Sequence, residues 1–469
     1  MLTIHRQPVR HCDGLARRGF LKAGALGLGG LTLAELLRRE TQAGVRSSHK
    51  AVIHLHLDGG PPQMDLIDPK PDAPSEIRGE FKSLPTKIPG VHLTELMPQV
   101  AAHADRFVFL RSLIGADGQH DAFQCQSGFT AKELAPIGGH PALGSAITKL
   151  LGRPQDPAPS FVDLMQGRPL VRNSARPGFL GPACAPFRPD LSHLFERQLE
   201  PGMQTEMARL RAGHTLQLEL TEGLSAGRLE NRVELLGQFD RLRRDLDGSG
   251  SMAALDQFTQ QAVGILTSGK FAAALDLTKE DPRTLERFTP RMAAPDPRHY
   301  TTEGPKALQK LLLARRLIEA GVRCVSVSLS DFDTHGDNFD RMRQLGPLLD
   351  HGLHTLVDDL RERGMLDDVL ILAWGEFGRT PKINRSAGRD HWPRVSMGIM
   401  AGGGLRTGQV IGATDKWAAE ATARPVHYQD VIATLYHHLG IDPQQDTLTD
   451  ITGRPQHLVS VGQVIGELL

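Results

Sequence analysis

Cysteine is scarce in this chain. Four stand in 469 residues, Cys12, Cys125, Cys184 and Cys324, with no CxxC pair and no zinc-finger spacing. So sparse a set excludes a disulfide framework, and Cys324, inside an apolar run, reads as a small buried residue. An excess of charge of one sign is also missing: 54 basic residues face 54 acidic ones, so nothing points to a nucleic-acid surface. No segment beyond the first 43 residues is long and apolar enough for a membrane span. There is no GxGxxG, and the late run Gly402-Gly403-Gly404 lacks the Lys-Ser/Thr of a phosphate loop, so it reads as a tight turn. A GxSxG elbow is absent, which leaves a Ser/His/Asp triad unsupported. No internal repeat stands out.

The first 43 residues carry seven Lys/Arg and three acids, and the remainder is mildly acidic at 47 against 51. Arg17-Arg18-Gly19-Phe20-Leu21-Lys22 matches the twin-arginine export signature R-R-x-F-L-K. A weakly apolar Gly/Ala/Leu stretch runs from Ala23 to about Leu37, and Thr41-Gln42-Ala43 offers a cleavage site. Residues 1–43 are therefore expected to be a signal peptide read by the twin-arginine translocase. The mature chain, 44–469, is expected in the periplasm or outside the cell, without a transmembrane span.

Within that mature chain, β-branched and aliphatic runs repeatedly end in acids and histidines. Ala51–Leu57 reads as a strand and stops at Asp58-Gly59-Gly60. Its His54 and His56 alternate with apolar residues and read as sheet-packing side chains. Phe107–Ile114 is followed by Gly118-Gln119-His120-Asp121. The run 321–330 leads into Asp331, Asp333, His335, Asp337 and Asn338, and Val369–Trp374 into Gly375, Glu376 and Arg379, with Asp390-His391 soon after. Helices are expected at 142–152, 306–320, 345–364 and 431–439, and long amphipathic helices at about 191–291 form a helical insertion. Strands alternating with helices make the fold α/β, and ligands in such folds bind beyond the carboxyl ends of the strands.

Carboxylates and imidazoles gathered there suit one or two divalent ions, Zn, Mn, Ca or Fe. The candidate ligands are Asp58, Asp333, His335, Glu376, Asp390 and His391. His120 or Asp121 would stand near the reacting group, and Arg379 would grip an anionic substrate oxygen. Simpler roles compete: Asp333-Thr334 as the cap of a helix beginning near Asp337, and Glu376 with Arg379 as an ion pair.

The motifs PGFLGPACAPF at Pro177, DRLRRDLDGSG at Asp240, FDTHGDNF, DDVLILAWGEFGRTPKINRSAGRDHWP and GGGLRTGQVIGATD together resemble the family called domain of unknown function 1501, over nearly the whole mature chain. That family is similar to the alkaline phosphatase and sulfatase superfamily. The resemblance implies a three-layer sandwich around a mainly parallel sheet, with a metal site at the strand ends. It matches Asp58 to the first-strand metal aspartate, Asp333 and His335 to an Asp…His ligand pair, Glu376 to a second-metal carboxylate and His391 to a late histidine. The chain departs from the superfamily where a Ser, Thr or Cys nucleophile would stand: it has His120-Asp121 and no Cys-x-Pro-x-Arg. The implied activity is metal-dependent hydrolysis of sulfate or phosphate esters, polysaccharide esters included. The alternative is a non-catalytic binding or surface-associated protein that keeps the metal site.

Overall fold

Runs such as AVIHLHL and VLILAW become strands because they are buried on both faces of one sheet. The computed structural model describes residues 49–120, 123–130, 133, 138–153, 156–165, 175–189, 191, 194, 269–292 and 303–469. The expected signal segment, Asp121 and most of the expected insertion at 191–291 lie outside the described residues.

The sheet has eight strands: β1 (Ala51–Leu57), β2 (Phe107–Ile114), β3 (Phe161–Leu164), β4 (Cys324–Leu329), β5 (Val369–Trp374), β6 (Ser396–Gly402), β7 (Gln409–Ile411) and β8 (Val426–His427). Their order is β7-β2-β6-β5-β1-β4-β3, with β8 also beside β2. β1 runs parallel to β4 and β5, β3 to β4, and β7 and β8 to β2. Only β6 is reversed, lying antiparallel to β2 and β5. The sheet is thus mixed and mainly parallel. This one reversal matters for the site. The carboxyl ends of β1, β2, β4 and β5 share an edge with the start of β6, so the loop carrying Asp390 and His391 is delivered to the same place.

Helices cover both faces. Ile53, Leu55 and Leu57 of β1 share a core with Leu311 and Leu317 of α2 (Gln309–Glu319) and Leu349 and Leu353 of α3 (Asn338–Glu362). Val52, Leu370 and Leu372 pack with Ile147 of α1 (Leu143–Leu151) and Val431 and Leu435 of α4 (Tyr428–His438). Each fully buried Leu or Ile stabilises this three-layer arrangement by about 1.5–3 kcal/mol. Among the described residues no helix is long and apolar enough to cross a membrane.

Two element boundaries differ from expectation. α4 starts at Tyr428, not Val431, because His427 and Asp430 form a reciprocal capping box. α3 starts at Asn338, not 345, and Asp333 does not cap it; Asp337 is the N-cap, at φ 51° and with no side-chain cap bond. The glycine run at 402–404 is a turn, with φ of 69°, 64° and 71° that other residues rarely adopt.

Candidate metal centre

At the shared edge, two groups of ligand-type side chains lie side by side. The inner group is His56, Asp58 and Glu376; the outer group is His120, Asp333, His335 and His391. Within each, one ligand atom per residue comes within 4.8 Å of the others.

The inner group depends on β1. Alternation puts His54, His56 and Asp58 on one face, yet the two histidines differ. Trp374 donates its indole N–H to His54 Nε2 at 2.7 Å. Burial, then the neighbouring His56, pushes the His54 pKa down to about 3. His54 is therefore a neutral packing residue. His56 is 0% exposed and neither ring nitrogen has a hydrogen-bond partner. Its Nε2 lies 3.7 Å from Asp58 Oδ1 and 3.6 Å from Glu376 Oε2, too far to hydrogen-bond. Glu376 Oε2 is also without a partner. Each such orphan costs about 1–3 kcal/mol when buried. Ligand bonds of about 2.0–2.2 Å to one tetrahedral ion would put ligand atoms about 3.3–3.6 Å apart, so this donor set fits a small divalent cation. Burial raises the Asp58 pKa; nearby His56 opposes the rise and the Glu376 charge adds to it.

Glu376 joins the two groups. Its Oε1 accepts from the Gly59 amide and lies near His120 Nδ1, both at 3.0 Å. His120 Nε2 is 3.2 Å from Asp333 Oδ2. Burial disfavours charge on His120, but these two carboxylates outweigh it and raise the pKa to about 9.

In the outer group the hydrogen positions follow from the partners. His391 Nδ1 is 3.0 Å from the Gly118 carbonyl, which can only accept, so Nδ1 carries the proton. His335 Nδ1 is held likewise, 2.6 Å from Asp390 Oδ1. In the neutral tautomer this leaves both Nε2 atoms as acceptors. They lie 3.1 Å apart, and 3.1 and 3.5 Å from Asp333 Oδ1. In that form the three atoms can share one cation, and histidines whose far nitrogen is tied to a carboxylate or carbonyl are the usual metal-ligand geometry.

The loops meet because two glycines allow it. At Gly59 (φ +106°) a Cβ would come 2.3 Å from the Asp333 amide nitrogen, and at Gly388 it would come 2.0 Å from the His335 carbonyl oxygen.

Of the residues singled out from the sequence, the structure gathers Asp58, Glu376, His120, Asp333, His335 and His391. Two take other places. Asp390 stays outside both groups and orients His335. Arg379 does not face substrate: it is 0% exposed, donating to Asp333 Oδ1 at 2.6 Å, to the Gly60 and Arg389 carbonyls at 3.0 and 2.9 Å, and to the Gly59 carbonyl. Nor is it paired with Glu376. Burial resists ionisation of Asp333, but the surrounding His120, His391 and Arg379 outweigh this and hold its carboxyl well below the usual range. Asp121 lies outside the described residues. Sequence reasoning missed His56, although its period-two relation to Asp58 was the available signal. It also missed Arg389, whose guanidinium grips buried Asp65 at 2.8 and 3.0 Å and ties the loop before β6 to the helix Gln63–Leu66.

None of the curated proteins compared matches the sequence. Solved structures give distant likenesses. The PsFucS1 sulfatase from Pseudoalteromonas sp. is 13% identical over 87% of this chain and 70% of its own, with a TM-score of 0.35. The C-terminal periplasmic domain of EcEptC from Escherichia coli, in complex with Zn, is 8% identical over 86% and 90%, TM-score 0.37. The phosphonate monoester hydrolase of Agrobacterium radiobacter is 13% identical over 89% and 76%, TM-score 0.32. The model of the family described as Protein of unknown function (DUF1501) matches residues 49–469, and the chain belongs to that family.

Proposed function

We propose that this protein is an exported hydrolase of sulfate or phosphate esters that works with one or two divalent ions at the sheet edge. The observation that carries the reading is the convergence of Asp333 Oδ1 with Nε2 of His335 and of His391, beside the orphaned His56 and Glu376 Oε2. The export part rests on Arg17–Lys22 and the apolar stretch after it.

Divalent ions held there would polarise the ester's anionic oxygens and lower the pKa of an attacking water. The chain's own residues do the rest. Asp390 and the Gly118 carbonyl fix the two imidazoles, and Arg379 fixes Asp333. His120, with Nδ1 toward Glu376, presents Nε2 at the outer group, where a proton can be passed to a departing alcohol.

The test is elemental analysis of mature protein purified without chelator, with aryl sulfate and phosphate ester assays on the same sample. We expect one or two equivalents of divalent metal and ester hydrolysis, with one equivalent and the hydrolysis lost in Asp333→Ala/His335→Ala. A metal-free parent that takes up no ion on loading overturns the reading. The burial of Arg379, which removes the expected anion clamp, favours a second reading, a non-catalytic binding protein; bound metal without hydrolysis of either ester class is its signature.

A further inference from the structure

The two groups differ in burial, ligand chemistry and attachment. His56, Asp58 and Glu376 are 0%, 6% and 1% exposed. The outer side chains are 22–48% exposed. The inner set is two carboxylates and one imidazole, and no Arg or Lys is paired with either carboxylate among the described residues. The outer set, with His120 kept as the proton donor, is the imidazoles of His335 and His391 and Asp333, whose charge Arg379 already offsets.

Attachment separates them further. His56 sits within the central strand, registered against Trp374 on one side and Ser328 on the other. Glu376 follows that same Trp374 strand directly. Moving His56 means parting the middle of the sheet. His120 and His335 stand on loops, and His391 on a two-residue ladder with Gly378–Arg379 beyond the main sheet. Glu376 Oε1 faces His120 while its Oε2 faces His56, so the inner group lies behind the outer one.

We propose that these are two unequal metal sites: a slowly exchanging inner ion that belongs to the folded core, and a readily exchanged outer ion that meets substrate. This rests on the reading above that the groups bind divalent ions. What separates the two is access: an ion enclosed by the buried inner set exchanges only when the protein opens, whereas one at the part-exposed outer set meets solvent and substrate directly. The imidazole-rich outer set favours Zn²⁺-type ions, whereas the carboxylate-rich inner set also suits a harder ion such as Mn²⁺. The inner ion binds the native state alone, so it also stabilises the fold.

The test is zinc release. Mature protein loaded with Zn²⁺ is mixed with excess chelator, and the freed metal is followed by a colorimetric dye, with ester hydrolysis assayed in parallel. We expect two phases of equal amplitude, the second at least about a hundredfold slower, because release waits on a local opening. His335→Ala should remove the fast phase and leave the slow one. Asp58→Asn should remove the slow phase, with His56→Gln as its check if Asp58→Asn fails to fold by circular dichroism. A single phase, or loss of the slow phase in His335→Ala, overturns this proposal while leaving the hydrolase reading intact if esters are still cleaved. Two phases without ester hydrolysis overturn only the hydrolase reading. No zinc uptake overturns both.

Discussion

Two buried clusters of charge in this molecule are built on opposite plans. Between α2 and the end of α3, Arg315 pairs with Glu280 at 2.8 Å and Glu319 at 2.7 Å, Arg316 with Glu280 at 2.8 Å, and Arg363 with Asp359 at 3.2 Å. Every acid there has a guanidinium within the chain. At the sheet edge, ligand-type groups face one another: His56 faces Asp58 and Glu376, and His335 faces His391 and Asp333. Burial of charge is tolerated in both places, but only the first cluster is complete in itself. The second has Arg379 and His120 against Asp333 and Glu376 Oε1, but among the described residues no Arg or Lys meets Asp58 or Glu376 Oε2, which leaves room for a cation from solution.

The largest effect expected from breaking this contrast is in the complete cluster. Arg315→Ala takes one of two guanidinium partners from Glu280 and from Asp359, which keep Arg316 and Arg363, and should cost about 1.5–3 kcal/mol of stability, read from the urea midpoint, with bound metal unchanged. A loss of metal there would erase the distinction. Next, Asp390→Asn weakens the hold on His335 Nδ1 and should reduce outer-ion affinity about 10–100-fold in a chelator competition, without lowering the stability of metal-free protein.

The incomplete cluster should behave in reverse when metal-free. Asp58→Asn removes one of two neighbouring buried carboxylates and should raise the melting temperature of metal-free protein, by about 1 kcal/mol in stability, while abolishing the gain that metal gives the parent. Destabilisation of the metal-free form would contradict the open-site account.

The exposed pair Arg424–Glu467 is the reference for charge in solvent. Its hydrogen bond from Arg424 lowers the Glu467 pKa to about 2. A carboxyl depressed in the folded state contributes stability above its unfolded pKa, near 4.5, and loses it as the pH falls toward 2. Screening limits the effect to under about 1 kcal/mol. Glu467→Gln and parent should therefore differ slightly at pH 6 and converge near pH 2; a gap that widened on acidification would refute the sign.

The candidate site was legible to the extent that its chemistry is local. Asp58, Asp333 and Glu376 could be picked out because each follows an apolar run that becomes a strand, and strand ends collect ligands. His56 was not, because a histidine alternating with Ile53, Leu55 and Leu57 carries the same period-two pattern as a packing residue; His54, two positions away, is one. Arg379 looked like an anion clamp because its sequence neighbours are polar, whereas its partners, Gly59, Gly60 and Asp333, arrive from distant segments.

By itself, then, the sequence determined the α/β class, the strands and the kind of chemistry at their ends, since periodicity and turn residues act over a few positions. Tertiary structure decided which of those residues meet. Only the strand order, with β5 beside β1 and β6 reversed next to β5, brings Glu376 to His56 and His391 to His335. Contacts between segments so far apart follow from how the sheet packs, which no local pattern specifies.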